Sequence, residues 1–364
     1  MQIDRRKFLK ISSAVAAAPL LPACDGAEVV SAAGVPRSRF NAESTAEEVT
    51  AGLDLKGKIA VVTGCNSGIG YETMRVLALR GAYVIGTGRT MEKAQSACAS
   101  VKGVTTPVQL ELADFDSIVA CAESISSLNA PIDILICNAG MRGDRREVVN
   151  GVEKAFAVNH LGHFLLVNRL LERLYLAPQG RVVVVASRAA YRGAPADGIQ
   201  FDDLRAVQEY SDSRAYGHSK LANVLFSLEL ARLLKGTRIT SNALHPGVIN
   251  TNIVRNLSAI VRSGFALLTK VSGKTIEQGA ATTCFVATAE SLGNVSGEYF
   301  EDCNAVNVLG DNHMRDTEQA ARLWLLSEEL TRDYRVKLKR PDPTKFRNGA
   351  RYSDGGELPA KLNQ

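Results

Sequence analysis

Paired cysteines are missing from this chain. Its seven cysteines stand singly at 24, 65, 98, 121, 137, 284 and 303, with no C-x-x-C and no histidine at ligand spacing. Neither a disulfide framework nor a metal site of the zinc type is expected. Charge of one sign is scarce too: 43 basic against 38 acidic residues leave +5, with the signs interleaved. That field is too weak to expect nucleic acid as a partner. What is present is 364 residues, 46% hydrophobic and 22% charged. That balance supplies a sizeable core and excludes a disordered tail, a fibrous repeat and a multi-span membrane protein. At about 150 residues per domain the length suggests two, although open α/β sheets run longer as one unit.

The first thirty residues read as a signal peptide rather than fold. Asp4-Arg5-Arg6-Lys7-Phe8-Leu9-Lys10 precedes an apolar run from Ile11 to Leu21 that is too short to span a bilayer. The paired arginines resemble a twin-arginine export signal, whose machinery carries proteins already folded. Leu21-Pro22-Ala23-Cys24 resembles a lipobox with Cys24 as the acylated residue, although Pro22 is unusual there. The expected location is therefore the periplasm or a membrane anchor, with a cytoplasmic protein and an unused leader as the alternative. Residues 31–54 read as a tether and 339–364 as a loosely attached extension.

From Lys56 onward, short apolar runs alternate with longer stretches of helical period. The runs are Ile59–Thr63, Tyr83–Gly86, Val108–Leu112, Ile132–Cys137, Val182–Ala186, Ile239–Leu244 and Tyr299–Phe300. Helices are predicted at 69–80, 91–100, 115–128, 147–175, 214–235 and 315–338. Continuous runs such as Val182-Val-Val-Val185 suit a parallel sheet covered on both faces. The prediction is one α/β domain over 55–338, a doubly wound parallel sheet of about seven strands.

The first strand runs into Gly64-Cys65-Asn66-Ser67-Gly68-Ile69-Gly70 and then a helix. Gly64 permits a tight turn, Gly68 lets backbone approach a pyrophosphate, and Gly70 allows close helix packing. The spacing is G-x-x-x-G-x-G, not the commoner G-x-G-x-x-G, and many strand-to-helix turns carry glycines for geometry alone. Arg89 closes the second strand, where NAD-binding sheets place an acid for the ribose hydroxyl. A cation there favours a 2′-phosphate, hence NADP(H) ahead of NAD(H). The plain alternative is an arginine on a solvated strand end.

Tyr216 and Lys220 are one helical turn apart, so the ammonium can approach the phenol, favour phenolate and lower its pKa. A phenol so tuned exchanges a proton with a carbonyl or alcohol oxygen. Ser187 ends the fifth strand at the carboxyl edge, where its hydroxyl either holds a substrate oxygen or caps a helix. Asn159 lies in an apolar helix and needs partners; it suits a water chain toward Lys220. His160, His163 and His245 read as packing or polar support.

These motifs together resemble the short-chain dehydrogenase/reductase family, in its retinol-dehydrogenase-like branch, over residues 55–334. The resemblance rests on the Gly64/Gly68/Gly70 corner, Asn138-Ala139-Gly140, Asn159-His160-Leu161-Gly162-His163-Phe164, Tyr216-x-x-x-Lys220, His245-Pro246-Gly247 and Gly297-Glu298-Tyr299-Phe300. It implies a Rossmann sheet with Asn159, Ser187, Tyr216 and Lys220 as a catalytic tetrad. In it Tyr216 is the acid/base, Ser187 positions substrate oxygen, Lys220 tunes Tyr216 and binds the nicotinamide ribose, and Asn159 holds a relay water. It further implies cofactor contacts from Gly64, Asn66, Ser67, Gly68, Ile69, Gly70, Arg89, Glu111, Leu112, Asn138, Ala139, Gly140, Tyr216, Lys220, Pro246, Gly247 and Thr251. Two departures stand out: Arg188 follows Ser187 where the family has serines in pair, and Glu111 replaces an Asp contacting adenine.

The amphipathic stretch 252–268 falls where that family covers its substrate, implying a lipophilic alcohol or carbonyl. Ordinary core, a subunit contact or a membrane contact are the other readings of it, and self-association is left open. An anchored enzyme beside a bilayer would draw its substrate from lipid. Against the enzyme stands a non-catalytic NADP-binding regulator on the same fold, which would not need the four tetrad residues together. A redox-sensing role for Cys65 in the phosphate loop lacks a second thiol nearby in sequence.

Overall fold

A computed structural model describes residues 27–249 and 273–336. The leader, Cys24, Thr251, the 252–268 stretch and the extension from 339 lie outside the described residues.

The strands are β1 (Val29–Ser31), β2 (Ile59–Val62), β3 (Tyr83–Gly88), β4 (Thr105–Gln109), β5 (Ile134–Cys137), β6 (Val148–Val149), β7 (Val152–Glu153), β8 (Gly180–Val185), β9 (Ile239–His245), β10 (Tyr299–Glu301) and β11 (Asn304–Val308). All but β6 and β7 join one sheet in the order β1-β11-β10-β9-β8-β5-β2-β3-β4. From β10 to β4 every neighbour pairs parallel. The helices are α1 (Ala46–Val49), α2 (Gly68–Leu79), α3 (Met91–Ala99), α4 (Phe115–Ser126), α5 (Lys154–Phe156), α6 (Gly162–Leu176), α7 (Ala189–Arg192), α8 (Asp212–Leu233), α9 (Ile276–Thr288) and α10 (Thr317–Leu330).

The apolar strands are continuous because each buries both faces, and successive side chains go to opposite sides. Ile59, Val61, Val182 and Val184 join the core under α4, α6, α8 and α10. Ala60, Val62, Val183 and Val185 join the core under α1, α2, α3 and α9. The chain thus forms one α/β domain with a parallel sheet between two helical layers. The strand order reverses between β2 and β5, and this opens a crevice at their carboxyl ends.

Four sequence expectations need correction. The strand expected over Val108–Leu112 is displaced: β4 begins at Thr105 and ends at Gln109, leaving Leu110 and Leu112 in the following turn. As an edge strand it is half-exposed, so it carries Thr105, Thr106 and Pro107 rather than an apolar run. The helix expected over 147–175 starts only at Lys154. Its front is a β6–β7 hairpin turning at Asn150 (φ 51°) and Gly151 (φ 80°), the two positive φ values a type I′ turn requires. Helix α9 was not anticipated, because residues 279–288 are all buried and show no polar face.

The tether expected over 31–54 is instead docked. β1 pairs antiparallel with β11, Val29 opposite Val308 and Ser31 opposite Val306. Helix α1 follows with a capping box, Thr45 bonding Glu48 N–H while the Glu48 carboxylate returns to Thr45 N–H at 2.8 Å. Ala46 and Val49 are buried between α1 and the α2/α9 layer. A polar segment with two adjacent valines reads as linker in sequence, yet unpaired backbone on β11 supplies its ladder.

Candidate active site

Thr63 follows β2 and gathers the corner of the crevice. Its hydroxyl accepts from Asn138 N–H and Ala139 N–H, each at 2.9 Å. Gly64 turns with φ +69°, and a Cβ there would come 2.9 Å from Ala139. At Gly70 a Cβ would collide with the Gly64 carbonyl and the Asn138 amide. These glycines therefore let α2 start tight against two strand ends.

A cavity of about 500 Å³ opens above that corner. Asn66, Ser67, Gly68 and Ile69 line its middle; Arg89, Glu111 and Leu112 line one end; Gly140, Tyr216, Lys220 and Pro246 line the other. Helix α2 meets it with Ser67 as N-cap making no side-chain capping bond, whereas α3, α4, α8, α9 and α10 are each capped by a side chain. Its first-turn amides are thus available to an anion. Arg89 is exposed and has no ion pair among the described residues. A glycine cradle, uncapped amides and an unpaired cation make a donor set that fits the phosphates of a dinucleotide. Glu111 spends one carboxylate oxygen on Ala113 N–H at 3.0 Å, and Asn138 donates to Thr63 C=O at 2.8 Å. Gly247 has φ +105°, with Lys274 beside it, and follows Pro246 out of the cavity.

The chemical end gathers three of the four expected side chains closely. Tyr216 is hydrogen-bonded to Ser187, whose hydroxyl also accepts from Ala189 N–H at 3.1 Å. Lys220 is buried, with Nζ 5.7 Å from the Tyr216 ring centroid. The expected acidification of Tyr216 by Lys220 is corrected, however. The Lys220 ammonium donates to Val185 C=O at 2.9 Å, and Tyr216 is pushed above the usual phenol range by desolvation. The Ser187 hydrogen bond and the Arg142 guanidinium pull the other way and recover only part of it. Removing a phenolate from water outweighs one hydrogen bond and a cation at ring distance.

Asn159 sits in a π-helical turn, Ala157–Leu161, between α5 and α6. Its side chain accepts from Met141 N–H at 2.8 Å and donates to Met141 C=O and Ser219 Oγ, each at 2.9 Å. Both amide hydrogens are therefore used within the protein, so Asn159 first clamps the Gly140–Met141 loop to α8. One lone pair of Oδ1 is left. A Cβ built on Gly140 would lie 3.3 Å from that Oδ1 and 3.4 Å from Lys220 Nζ, so the two groups flank one side-chain-free spot.

The residues after Ser187 explain its departure from the family. Arg188 leaves the crevice and pairs with buried Glu301 at 2.6 Å, which also accepts from Tyr191 Oη at 3.0 Å. Among the histidines, His163 Nδ1 faces Asn159 C=O at 3.0 Å, so that nitrogen carries the proton. Its Nε2 therefore accepts from Thr63 Oγ1 at 2.9 Å. His160 meets Ser327 at 2.8 Å, and His245 Nδ1 accepts from Arg188 N–H at 3.3 Å. Burial pushes His163 down to about 4 and His160 down to about 3, so both are neutral supports. Sequence reasoning missed Arg142, whose Cζ lies 5.8 Å from the Tyr216 ring centroid while Asp212 holds it at 2.6 Å. Its signal was a cation two residues past Gly140 at the carboxyl edge.

Comparison with known proteins decides the lineage. Residues 58–198 match the family model described as short chain dehydrogenase. Human retinol dehydrogenase 12 is 42% identical over 287 residues, covering 76% of this chain and 87% of that protein. The chain belongs to the short-chain dehydrogenase/reductase family. Within this oxidoreductase family it falls in the retinol-dehydrogenase-like branch. The chloroplastic short-chain dehydrogenase TIC 32 A of Brassica napus is 39% identical over 310 residues, covering 81% of this chain and 95% of the relative. Among solved structures, an uncharacterized protein from Mycobacterium paratuberculosis superposes with TM-score 0.63 at 32% identity, over 78% of this chain and 97% of the other. A Beutenbergia cavernae structure, named for NAD(P)-dependent gluconate 5-dehydrogenase activity and holding NADP at low occupancy, gives 0.55 at 26%, over 68% and 95%.

Burial pushes the Lys220 ammonium from its ordinary 10.5 down to about 8. Between those values the unfolded chain binds more protons than the folded one, so this group makes stability rise with pH across that window. Below it, the buried charge costs on the order of 3 kcal/mol. Lys220→Met should therefore be more stable than wild type in denaturant titrations at about pH 7, with the gain shrinking toward about pH 10. A variant less stable at both values would refute the assignment.

Proposed function

We propose that this protein is an NADP(H)-dependent oxidoreductase interconverting a hydrophobic alcohol and its aldehyde or ketone. The observation that carries the reading is one cavity lined by an unpaired Arg89 at one end and by Tyr216 and Lys220 at the other, with Ser187 hydrogen-bonded to Tyr216. The Gly64–Gly70 corner and α2 amides hold the pyrophosphate, Arg89 the 2′-phosphate, and Lys220 the nicotinamide ribose. When bound, the nicotinamide supplies or accepts hydride. Ser187 Oγ holds the substrate oxygen, and Tyr216 Oη hands its proton to that oxygen in reduction. Desolvation keeps Tyr216 protonated at neutral pH, which suits a proton donor; Ser187 and Arg142 then steady the phenolate left behind. Lys220, with Asn159 close by across Gly140, is the group that would restore that proton. The lipophilic substrate class is supported by Met141, Val149 and Val158 on the cavity wall and by relatives named retinol dehydrogenase.

NADPH oxidation across retinal-like, steroid and aromatic carbonyls should show turnover that Tyr216→Phe lowers by about 10³-fold or more while NADPH still binds. Because the phenol is raised, reduction should persist into alkaline solution and alcohol oxidation should climb with pH as phenolate forms. Undiminished activity in the variant would discard the mechanism. Arg89→Ala should weaken NADPH by about ten-fold or more and leave NADH nearly unchanged. Equal losses for both nucleotides would show that Arg89 does not read the 2′-phosphate.

We further propose export through the twin-arginine machinery with nucleotide already in place, and a lipid anchor at Cys24. Support comes from the Arg5-Arg6 leader and the Leu21–Cys24 motif. No helix among the described residues is long and apolar enough to cross a membrane. An exported enzyme needs a tightly held nucleotide reoxidised in place by a second substrate. Protein purified from the periplasmic fraction should keep its nucleotide through dialysis; ready loss would count against the idea.

A further inference from the structure

The phosphate loop does have a second thiol, brought to it by the fold. Cys65 follows Gly64 at the end of β2, and Cys98 lies on α3, yet their sulfurs meet beneath the loop. A Cβ built on Gly86 of β3 would lie 2.7 Å from Cys65 Sγ, 2.9 Å from Cys98 Sγ and 2.6 Å from Met74 Sδ. The two cysteine sulfurs are thus no farther apart than the sum of the first two distances, with the Cys65 thiol donating to Thr87 C=O and the Cys98 thiol to Met74 Sδ at 3.8 Å. Only a glycine at 86 leaves room for three sulfurs.

We propose that Cys65 and Cys98 form a reversible disulfide that unlatches the nucleotide loop. The proposal rests on the reading of that loop as the seat of the dinucleotide phosphates. Cys65 is bound twice to one acceptor: its N–H reaches Thr87 C=O at 2.9 Å and its Sγ–H reaches the same oxygen at 3.2 Å. Those bonds fasten the loop to the strand end that carries Arg89. A disulfide removes the thiol donor and draws residue 65 toward α3. Gly64 packs against Ala139 and gives no slack on that side. The displacement is therefore taken up by Asn66–Gly68, which line the cavity.

Cys98 is the attacking sulfur. It is 4% exposed where Cys65 is fully buried. The polar neighbours Cys65 first, and then Thr105 and the Gly86 backbone, hold its thiol below the usual range despite desolvation. The oxidant is a peroxide. The Cys98 sulfur takes one peroxide oxygen, the O–O bond breaks, and one water leaves with the Cys98 proton, giving a sulfenic acid. The Cys65 sulfur then displaces that oxygen, and a second water carries off the Cys65 proton. Two thiols and one hydrogen peroxide become one disulfide and two waters. A dithiol reductant reverses it by exchange.

The test treats the full chain with hydrogen peroxide, alkylates remaining thiols and maps peptides by mass spectrometry, alongside NADPH titration. The expected result is a Cys65–Cys98 linked peptide two hydrogens lighter than its parts, with Cys121 and Cys137 still alkylated after unfolding. NADPH affinity should fall about ten-fold or more and return with dithiothreitol. Cys98→Ala should bind NADPH like the reduced protein and lose the response to peroxide. Absence of the link, or a mapped link with unchanged affinity, overturns the proposal. Failure of the reduced protein to bind NADPH at all overturns instead the reading of the loop, and the peptide map still decides whether the link forms.

Discussion

The Thr63 hydroxyl ties the nucleotide corner to the chemical end of the crevice. It takes two amides from the loop after β5 and gives its proton to His163 Nε2. His163 then donates from Nδ1 to the Asn159 carbonyl, and the Asn159 amide reaches Met141 and Ser219. Ser219 finally donates to the Tyr216 carbonyl at 2.8 Å. The Thr63 hydroxyl can reach only one other acceptor, Ile136 C=O at 3.3 Å, so the shorter bond to His163 requires a neutral ring. Burial enforces that neutrality. Protonating His163 would put a hydrogen between Nε2 and Thr63 and turn the hydroxyl toward Ile136 C=O, crowding an oxygen that already takes the Asn138 and Ala139 amides. A histidine that touches no reacting atom thereby couples both halves of the site.

Such coupling has an energetic counterpart in how the site keeps its charges. Lys220 is buried without a carboxylate partner among the described residues and relies on Val185 C=O, and Tyr216 loses solvation beside it. A folded protein optimised for stability alone would place apolar groups at both positions. Their presence where β8 ends, rather than in the surrounding Val and Leu core, marks a site whose chemistry opposes its folding. Structural polar groups here behave differently. Glu301 is equally buried but meets both Arg188 and Tyr191, and Asp133 meets Lys58 and the Ile59 amide.

What sequence made legible follows from the same physics. The parallel strands announced themselves because burial on both faces forces unbroken Val and Ile, and the glycine corner because backbone contact at Gly64 and Gly70 admits no Cβ. The residues gathered around the crevice, Asn159, Tyr216 and Lys220 among them, came through the family motifs. Illegible features were those defined by partners distant in sequence. β1 exists because β11 offers an edge, and nothing local to Val29–Ser31 says so. Helix α9 shows no polar face from Gly279 onward because it is covered there on all sides. Ionisation was hardest: the spacing of Tyr216 and Lys220 is right, but spacing says nothing of solvation, and solvation sets the sign. The sulfur pair is the same lesson, since Cys65 and Cys98 are joined only through Gly86 on a third element. The Asn150-Gly151 hairpin, by contrast, was readable and was hidden by the apolar residues around it.

Docking of the N-terminal segment also bears on how an anchored enzyme would meet its substrate. β1 is antiparallel to β11, and β11 to β10, so β1 runs in the direction of the parallel strands. Ser31 is level with Tyr299 at the start of β10, which places Val29 farther toward the amino edge. Ser187, Tyr216 and Pro246 stand at the opposite, carboxyl edge. Five residue steps separate Cys24 from Val29, about 17 Å of fully extended chain. Tyr299 is itself opposite Ala243, so Val29 is level with Ser241, two residues inside the amino end of β9 and four from its carboxyl end. At about 3.3 Å per residue both edges of the sheet lie within that reach. The docking of β1 therefore fixes where the N-terminal segment joins the sheet without dictating which edge a group at Cys24 would face.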